Sequence, residues 1–248
     1  MHGQKALWER IHDEYDGSLN DELAEAYLVE FAYEPMLRLV PNDARTVLEI
    51  TSGTGPLSSW LRSRRPELEF TGSDISEKAC AEYERFNRAP CLLTDLTKPV
   101  QFRRLFDVVV VSFGIHHLVI DLDTAMANIA GALKSGGALI MSEPNADYLL
   151  EPIRRIWYRL DRRHFEAKSE HALSHGRLAG RYASLFCAEH VEYRGGPLIH
   201  LFLHSMIIGL PPSVRLRLAP AAMAAERRYA VIPSKGFFSF FIARWIRR

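Results

Sequence analysis

The stretch Val47-Leu48-Glu49-Ile50-Thr51-Ser52-Gly53-Thr54-Gly55 constrains the fold more than any other part of the chain. Thr46 to Ile50 is a short run of β-branched and apolar residues and reads as a strand. It enters a turn holding two glycines and leaves through a helical pattern that carries Leu57, Trp60 and Leu61. Glycines reach backbone angles closed to other residues and let a ligand approach the main chain, so a strand, glycine turn and helix in this order suit binding at the turn. Asp74 stands roughly 20 residues beyond that turn, where an acid can accept the hydroxyls of a ribose. It also ends the next expected strand, Leu68 to Thr71, so capping the following helix beside Ser76 is its alternative role.

The unit then repeats. A helix is expected over Glu77 to Phe86, a strand over Cys91 to Leu93, and a strand over Phe106 to Val111, whose run of valines suits a strand covered on both faces. Asp121 to Leu133 reads as a helix ended by Lys134-Ser135-Gly136-Gly137, and Ala138 to Ser142 as the fifth strand. Such alternation implies an α/β fold with a parallel sheet, helices on both faces, and ligands at the carboxyl ends of the strands. After Pro144 the regularity breaks. Helices are expected over Tyr148 to Arg159 and Arg177 to Phe186, and strands over His190 to Arg194 and Phe237 to Trp245. From Leu7 to Leu39 apolar residues recur at helical spacing, with acids concentrated between Glu9 and Glu34.

Composition narrows the function. A chain that is 48% hydrophobic and 25% charged has the make-up of a soluble globular protein, and its 248 residues fit one large domain. A net charge of +1 gives no field to attract nucleic acid. The charged N-terminus, with Lys5, Glu9 and Arg10, does not resemble a secretory signal, so a cytoplasmic location is expected. Pro197 to Leu210 falls short of the about 20 residues that a membrane span needs. Cys80, Cys91 and Cys187 form no CxxC pair, which argues against a disulfide framework and a thiolate zinc site and leaves buried, inert thiols as the expectation. The pairs His171 and His175, and His200 and His204, have helical spacing but no third ligand, so they read as polar helix faces and no metal is expected.

The motifs together resemble the class I S-adenosylmethionine-dependent methyltransferases over about residues 45 to 145. The glycine loop after Glu49 is similar to the family's first motif, and Asp74 matches its ribose-binding acid. Thr94-Asp95-Leu96 matches the segment flanking adenine. Phe106-Asp107 through Ser112-Phe113-Gly114-Ile115-His116-His117-Leu118 resembles the fourth strand and its loop, and Leu133 to Gly137 through Glu143-Pro144-Asn145 resembles the turn into the fifth. The resemblance implies a Rossmann-like, seven-stranded, mostly parallel sheet with an antiparallel strand near the C-terminus. It also implies S-adenosylmethionine as cofactor, held by Glu49, Thr51, Gly53, Gly55, Asp74, Ile75, Asp95, Leu96 and Ser112, with Asp95 taking the exocyclic amine. A single domain over 1–248 is expected, with a helical lid at 1–42, a cofactor-binding core at 43–145 and substrate-shaping elements at 146–248.

The chain departs from the family at Thr51, where relatives carry glycine. A Cβ there strains the turn or crowds the cofactor's amino-acid tail, and the hydroxyl is expected to point into the site and bond that tail. Methyl transfer needs mainly positioning and exclusion of water, since the donor is already activated. His116 and His117 follow the fourth strand and are candidate general bases for an acceptor that holds a proton; the alternative is that they only shape the loop. The basic run that includes Arg154, Arg155, Arg159, Arg162, Arg163, Lys168, Arg177 and Arg181 could select an acidic small-molecule substrate, and the apolar stretch Leu198 to Leu210 a greasy one. The reading is therefore a small-molecule methyltransferase acting on O, N or C. Its rival is a non-catalytic binding or regulatory protein of the same fold. A nicotinamide dehydrogenase ranks behind both, because the turn lacks a full G-x-G-x-x-G.

Overall fold

Seven strands form one sheet in a computed structural model that describes residues 22–152, 171–196, 198, 211–232 and 234–248. Strands β1 (Thr46–Ile50), β2 (Glu69–Asp74), β3 (Cys91–Leu93), β4 (Phe106–Ser112) and β5 (Leu133–Pro144) run parallel. Strand β7 (Phe240–Arg247) lies antiparallel between β5 and β6 (Phe186–Arg194), giving the order β3-β2-β1-β4-β5-β7-β6. This is the Rossmann-like sheet with an inserted antiparallel strand that the motifs imply. From β1 the chain winds outward through β2 to β3 and then returns to β4. The sheet therefore changes winding direction between β1 and β4, and in open α/β sheets ligands bind outside the carboxyl ends at such a point.

Both faces of the sheet are buried. In β4, Val108 and Val110 enter one core while Val109 and Val111 enter the other, because successive side chains of a strand point to opposite faces. The first core is covered by α1 (Glu22–Leu28), a π-helical stretch (Val29–Tyr33), α2 (Glu34–Leu39) and α3 (Pro56–Arg64), with Ala219 and Ala222 of α7 (Pro212–Tyr229). The second is covered by α5 (Leu122–Ala132) and by Leu178 of α6 (His175–Arg181), packed against Leu139, Met141, Phe241 and Trp245. Helix α4 (Glu77–Asn87) follows β2, capped by Ser76, whose side chain accepts from Ala79 N at 3.3 Å.

Several boundaries differ from those expected. Lys134 to Gly137 do not end a helix; they belong to β5, where pairing passes from Phe106 with Leu133 to Val108 with Ala138 through an irregularity, and Gly136 takes φ +73°. The last strand starts at Phe240 because Lys235–Phe237 form a 3-10 turn. His175 does not lie on a polar face: it is buried and accepts a hydrogen bond from Trp245 Nε1 at 3.0 Å. Cys187 faces solvent, since β6 is an edge strand with an exposed side.

The expected helix over Tyr148 to Arg159, most of the basic run and the Leu198 to Leu210 stretch lie largely outside the described residues, as do His200 and His204. Among the described residues, no helix is long and apolar enough to cross a membrane and no cluster of three or more His, Cys, Asp or Glu could hold a metal ion.

Residues 22–40, within the segment expected to form a lid, place Tyr27, Phe31, Ala32, Tyr33 and Met36 in the first core beside Val47, Val108 and Ile140. Phe31 is 4% exposed, so removing its ring leaves a cavity. We expect Phe31→Ala to lower the unfolding free energy by about 3–5 kcal/mol in urea titrations. A change below about 1 kcal/mol, the range of an ordinary surface substitution, would show that this segment is not part of the core.

Candidate active site

The turn after β1 is left-handed at three positions: Thr51 at φ +49°, Gly53 at φ +53° and Gly55 at φ +80°. Two are glycines, for which this region costs nothing sterically. A Cβ placed on Gly53 would meet no atom within 4 Å, so the main chain there is open to an incoming group. At Gly55 a Cβ would instead run into the Tyr83 ring and Asn87. Helix α4 thus shapes the turn from behind, and Asn87 Nδ2 donates to Thr54 O at 2.9 Å.

Glu49 lies beneath this turn, 3% exposed. Its Oε2 accepts from Ser58 N at 3.2 Å and from Ser58 Oγ, and Tyr83 OH donates to Ser58 Oγ at 2.9 Å. Burial pushes the Glu49 carboxyl up to about 8, against the opposing pull of the Ser58 hydrogen bonds. The residue ties β1 to the first turn of α3, where a carboxyl oxygen satisfies an otherwise orphaned amide.

Asp74 ends β2. Gly53 N donates to its Oδ2 at 2.9 Å and Ser76 N to its Oδ1 at 2.9 Å. One carboxylate therefore joins the glycine turn to the entry of α4, and the helix cap is Ser76. Ile75 follows, partly exposed. Beyond β3, Asp95 Oδ1 accepts from Thr97 N at 3.1 Å and Thr97 Oγ1 at 2.6 Å, and Oδ2 meets Lys98 Nζ at 2.9 Å. Burial opposes its charge, but these donors outweigh it and hold the carboxyl below its ordinary value. The Leu96 side chain is in the second core, and Asn128 Nδ2 donates to Leu96 O at 2.8 Å.

Ser112 ends β4, opposite Ser142 of β5. The loop that follows is organised by Glu143, a residue the motifs pass through without assigning it a role. Glu143 is fully buried. Its Oε1 accepts from Gly114 N at 2.9 Å and Ile115 N at 2.6 Å; its Oε2 accepts from His116 N at 3.3 Å and lies 2.8 Å from His116 Nδ1. Burial raises the Glu143 carboxyl to about 7, while the backbone donors act to lower it. The rings of His116 and His117 touch with centroids 3.9 Å apart and planes tilted by 40°. Burial, then the neighbouring His116, push the His117 imidazole well below its usual value, so it is held neutral. The His116 ring is therefore oriented by its Nδ1 contact with Glu143. A carboxylate at the end of a buried strand was the one available signal for Glu143, because such a group requires partners.

Thr51 joins the two loops. Its Oγ1 donates to Ile50 O at 2.7 Å, so the hydroxyl is satisfied within the protein. A Cβ on Gly114 would overlap Thr51 Oγ1 and Val111 Cγ2. Gly114 has φ −128°, which any residue can adopt, so glycine is required there by space alone.

The structure thus gathers Glu49, Thr51, Gly53, Gly55 and Asp74 around the ends of β1 and β2. It sets Ser112 at the end of β4 and His116 and His117 after it, across the winding reversal, and Asp95 and Leu96 beyond β3.

A family model described as a methyltransferase domain matches residues 22–175. The demethylmenaquinone methyltransferase of Thermotoga maritima is 27% identical over 138 residues, 55% of this chain and 59% of that protein, so the match spans about three fifths of that relative's length. Among solved structures, the N-methyltransferase NodS of Bradyrhizobium japonicum, bound to S-adenosyl-L-homocysteine, superposes with TM-score 0.57 at 15% identity, covering 95% of this chain and 97% of its own. An S-adenosylmethionine-dependent methyltransferase of Thermotoga maritima gives TM-score 0.60 at 18% identity, with 98% and 99% coverage. At these identities the structural likenesses establish the fold.

The contact between Thr51 and Gly114 can be tested by a double-mutant cycle. Gly114→Ala should destabilise by about 1–3 kcal/mol through overpacking, and Thr51→Gly should recover part of that loss. The coupling energy should fall within about 0.5–3 kcal/mol; additive effects would mean that the two loops do not meet through these side chains.

Proposed function

The chain belongs to the methyltransferase-domain family, and from that premise we propose that it transfers the methyl group of S-adenosylmethionine to an O, N or C nucleophile of a small-molecule acceptor. The observation that carries this reading is the open, left-handed glycine turn with Asp74 locked beside it, set across the β1/β4 reversal from the His116–Glu143 pair. When bound, the cofactor supplies a methyl group on a sulfonium sulfur, so the protein's task is to position the acceptor and exclude water.

Gly53 gives close access to the main chain, and Gly55 lets the turn pack against Tyr83 and Asn87. Each Asp74 oxygen receives one of the two backbone N–H bonds described, and an ionised carboxylate has further lone pairs for ribose hydroxyls. Ile75, Leu96 and Asp95 flank the place for adenine, and an exocyclic amine on Asp95 would share Oδ2 with Lys98. Glu49 and Thr51 support the turn from within, and Ser112 borders it from β4. For a hydroxyl acceptor His116 is the general base, its ring positioned by the contact of Nδ1 with Glu143. His117, neutral and buried against it, shapes the loop. Elements of 146–248 would shape a pocket for an acidic or apolar acceptor in a cytoplasmic enzyme.

One observation favours a second reading, a non-catalytic protein that binds the same ligand. Thr51 sits at φ +49° with a β-branched side chain, a conformation that disfavours such residues.

Incubation with methyl-labelled cofactor and a cell extract, followed by mass spectrometry, separates the two, since only the enzyme labels a product and releases S-adenosylhomocysteine. Asp74→Ala should weaken S-adenosylhomocysteine binding by about 10- to 100-fold in calorimetry, the worth of a charged hydrogen-bonding group. Unchanged affinity in a folded variant would confine Asp74 to joining the turn and the helix.

A further inference from the structure

Two of the three cysteines meet beside the cofactor turn. Cys80, in the first turns of α4, and Cys91, which opens β3, lie with their sulfurs 3.0 Å apart, the Cys91 thiol donating to Cys80. Neither Cys80 nor Cys91 forms part of the methyl-transfer machinery described above. Their other contacts do reach it: Cys80 Sγ lies 3.8 Å from Asp74 O, and Cys91 Sγ lies 3.8 Å from Ser52 Oγ in the turn. Cys91 is also tied to α4 through its N–H, which donates to Glu84 Oε1 at 3.1 Å. Helix and strand are therefore already held face to face, and the sulfurs need to approach by only about 1 Å to reach the bonded separation of about 2.0 Å.

We propose that Cys80 and Cys91 form a thiol-disulfide exchange site that takes a low-molecular-weight disulfide as oxidant, and that the bond so formed weakens cofactor binding. Cys91 is the more exposed of the two and receives the first exchange. Its sulfur attacks one sulfur of the small disulfide, the disulfide's S–S bond breaks, and one small thiol leaves. Cys80 sulfur then displaces the second small thiol from Cys91. The two cysteine protons depart with the two released thiols, so the protein is oxidised by two electrons and the small disulfide is reduced by two.

Closure acts on the cofactor site through its geometry. The bond removes the proton that Cys80 donates to Asp74 O and draws the start of β3 toward α4. β3 is a three-residue edge strand paired on one side only, and it is the element that can move. Thr94 N, just beyond it, donates to Asp74 O at 2.7 Å, so its displacement reaches the residue that joins the turn to the second strand. The effect on affinity rests on the reading of Asp74 given above; the exchange chemistry does not.

The test uses the full chain carrying Cys187→Ser, which removes the solvent-exposed thiol. The protein is equilibrated with mixtures of reduced and oxidised glutathione, then followed by intact mass and peptide mapping, with S-adenosylhomocysteine titrated into each form. The expected result is the loss of two hydrogens, a cross-linked Cys80–Cys91 peptide, and at least tenfold weaker binding that thiol reductant reverses. Cys80→Ser and Cys91→Ser variants should keep the affinity of the reduced form under the same conditions. A native protein that retains both thiols, or carries only mixed glutathione adducts, overturns the exchange site. A disulfide with unchanged affinity overturns its coupling to the cofactor. Failure of the reduced protein to bind S-adenosylhomocysteine would instead count against the cofactor reading, while the mass readout would still decide the disulfide.

Discussion

Glu143 is a carboxylate held out of water at the end of β5, and the donors that compensate it come from one loop. Three consecutive backbone amides, from Gly114 to His116, and the His116 ring converge on its two oxygens. Burying such a group without partners costs far more than any one of these hydrogen bonds contributes, so the loop after β4 is held in the conformation that supplies them. That conformation sets Gly114 against Thr51 and turns His116 Nδ1 inward. The geometry of the glycine turn and the chemistry available to His116 therefore depend on a residue that belongs to neither loop.

The sheet makes this convergence possible. β4 and β5 are parallel neighbours in register from Val108 with Ala138 to Ser112 with Ser142, which brings the start of the β4 loop to the level of Glu143. On the other side β1 ends beside β4, and the reversal of winding there leaves the two loops facing one crevice. Glu49 performs a related task on the β1 side, where a second buried carboxyl anchors the first turn of α3 through Ser58. Two acids, both with raised proton affinity from burial, hold the two loops from below, and Asp74 holds the glycine turn from the side.

Much of this was legible in the chain. The strands from Thr46 to Ser142 follow from apolar runs of the right length, and the antiparallel insertion of the last strand follows from the resemblance that the motifs carry. Asp74 was readable because its distance from the glycine turn is set by the length of one helix and one strand. What the sequence hides are contacts between residues that only tertiary structure brings together. Glu143 looks like the end of a strand until three amides and an imidazole are seen to meet on it. Thr51 looks like a departure from a glycine rule, and only the structure shows Gly114 vacating the space that the threonine fills. Cys80 and Cys91 lack the short spacing that marks a reactive pair, since a helix and a strand bring their sulfurs together. The turn at Lys134 to Gly137 misleads in the opposite sense, because residues suited to ending a helix are absorbed by an irregular start to β5.

The central claim is that Glu143 fixes the orientation and tautomer of His116. Nitrogen-15 NMR of histidine-labelled protein reads this directly, since protonated and unprotonated ring nitrogens differ in shift and in their couplings to ring protons. The account predicts that the neutral His116 ring carries its proton on Nδ1 and that Glu143→Gln abolishes this preference in a folded protein. A neutral ring with its proton on Nε2 in the wild type, or a tautomer indifferent to the loss of the Glu143 carboxylate, would contradict it.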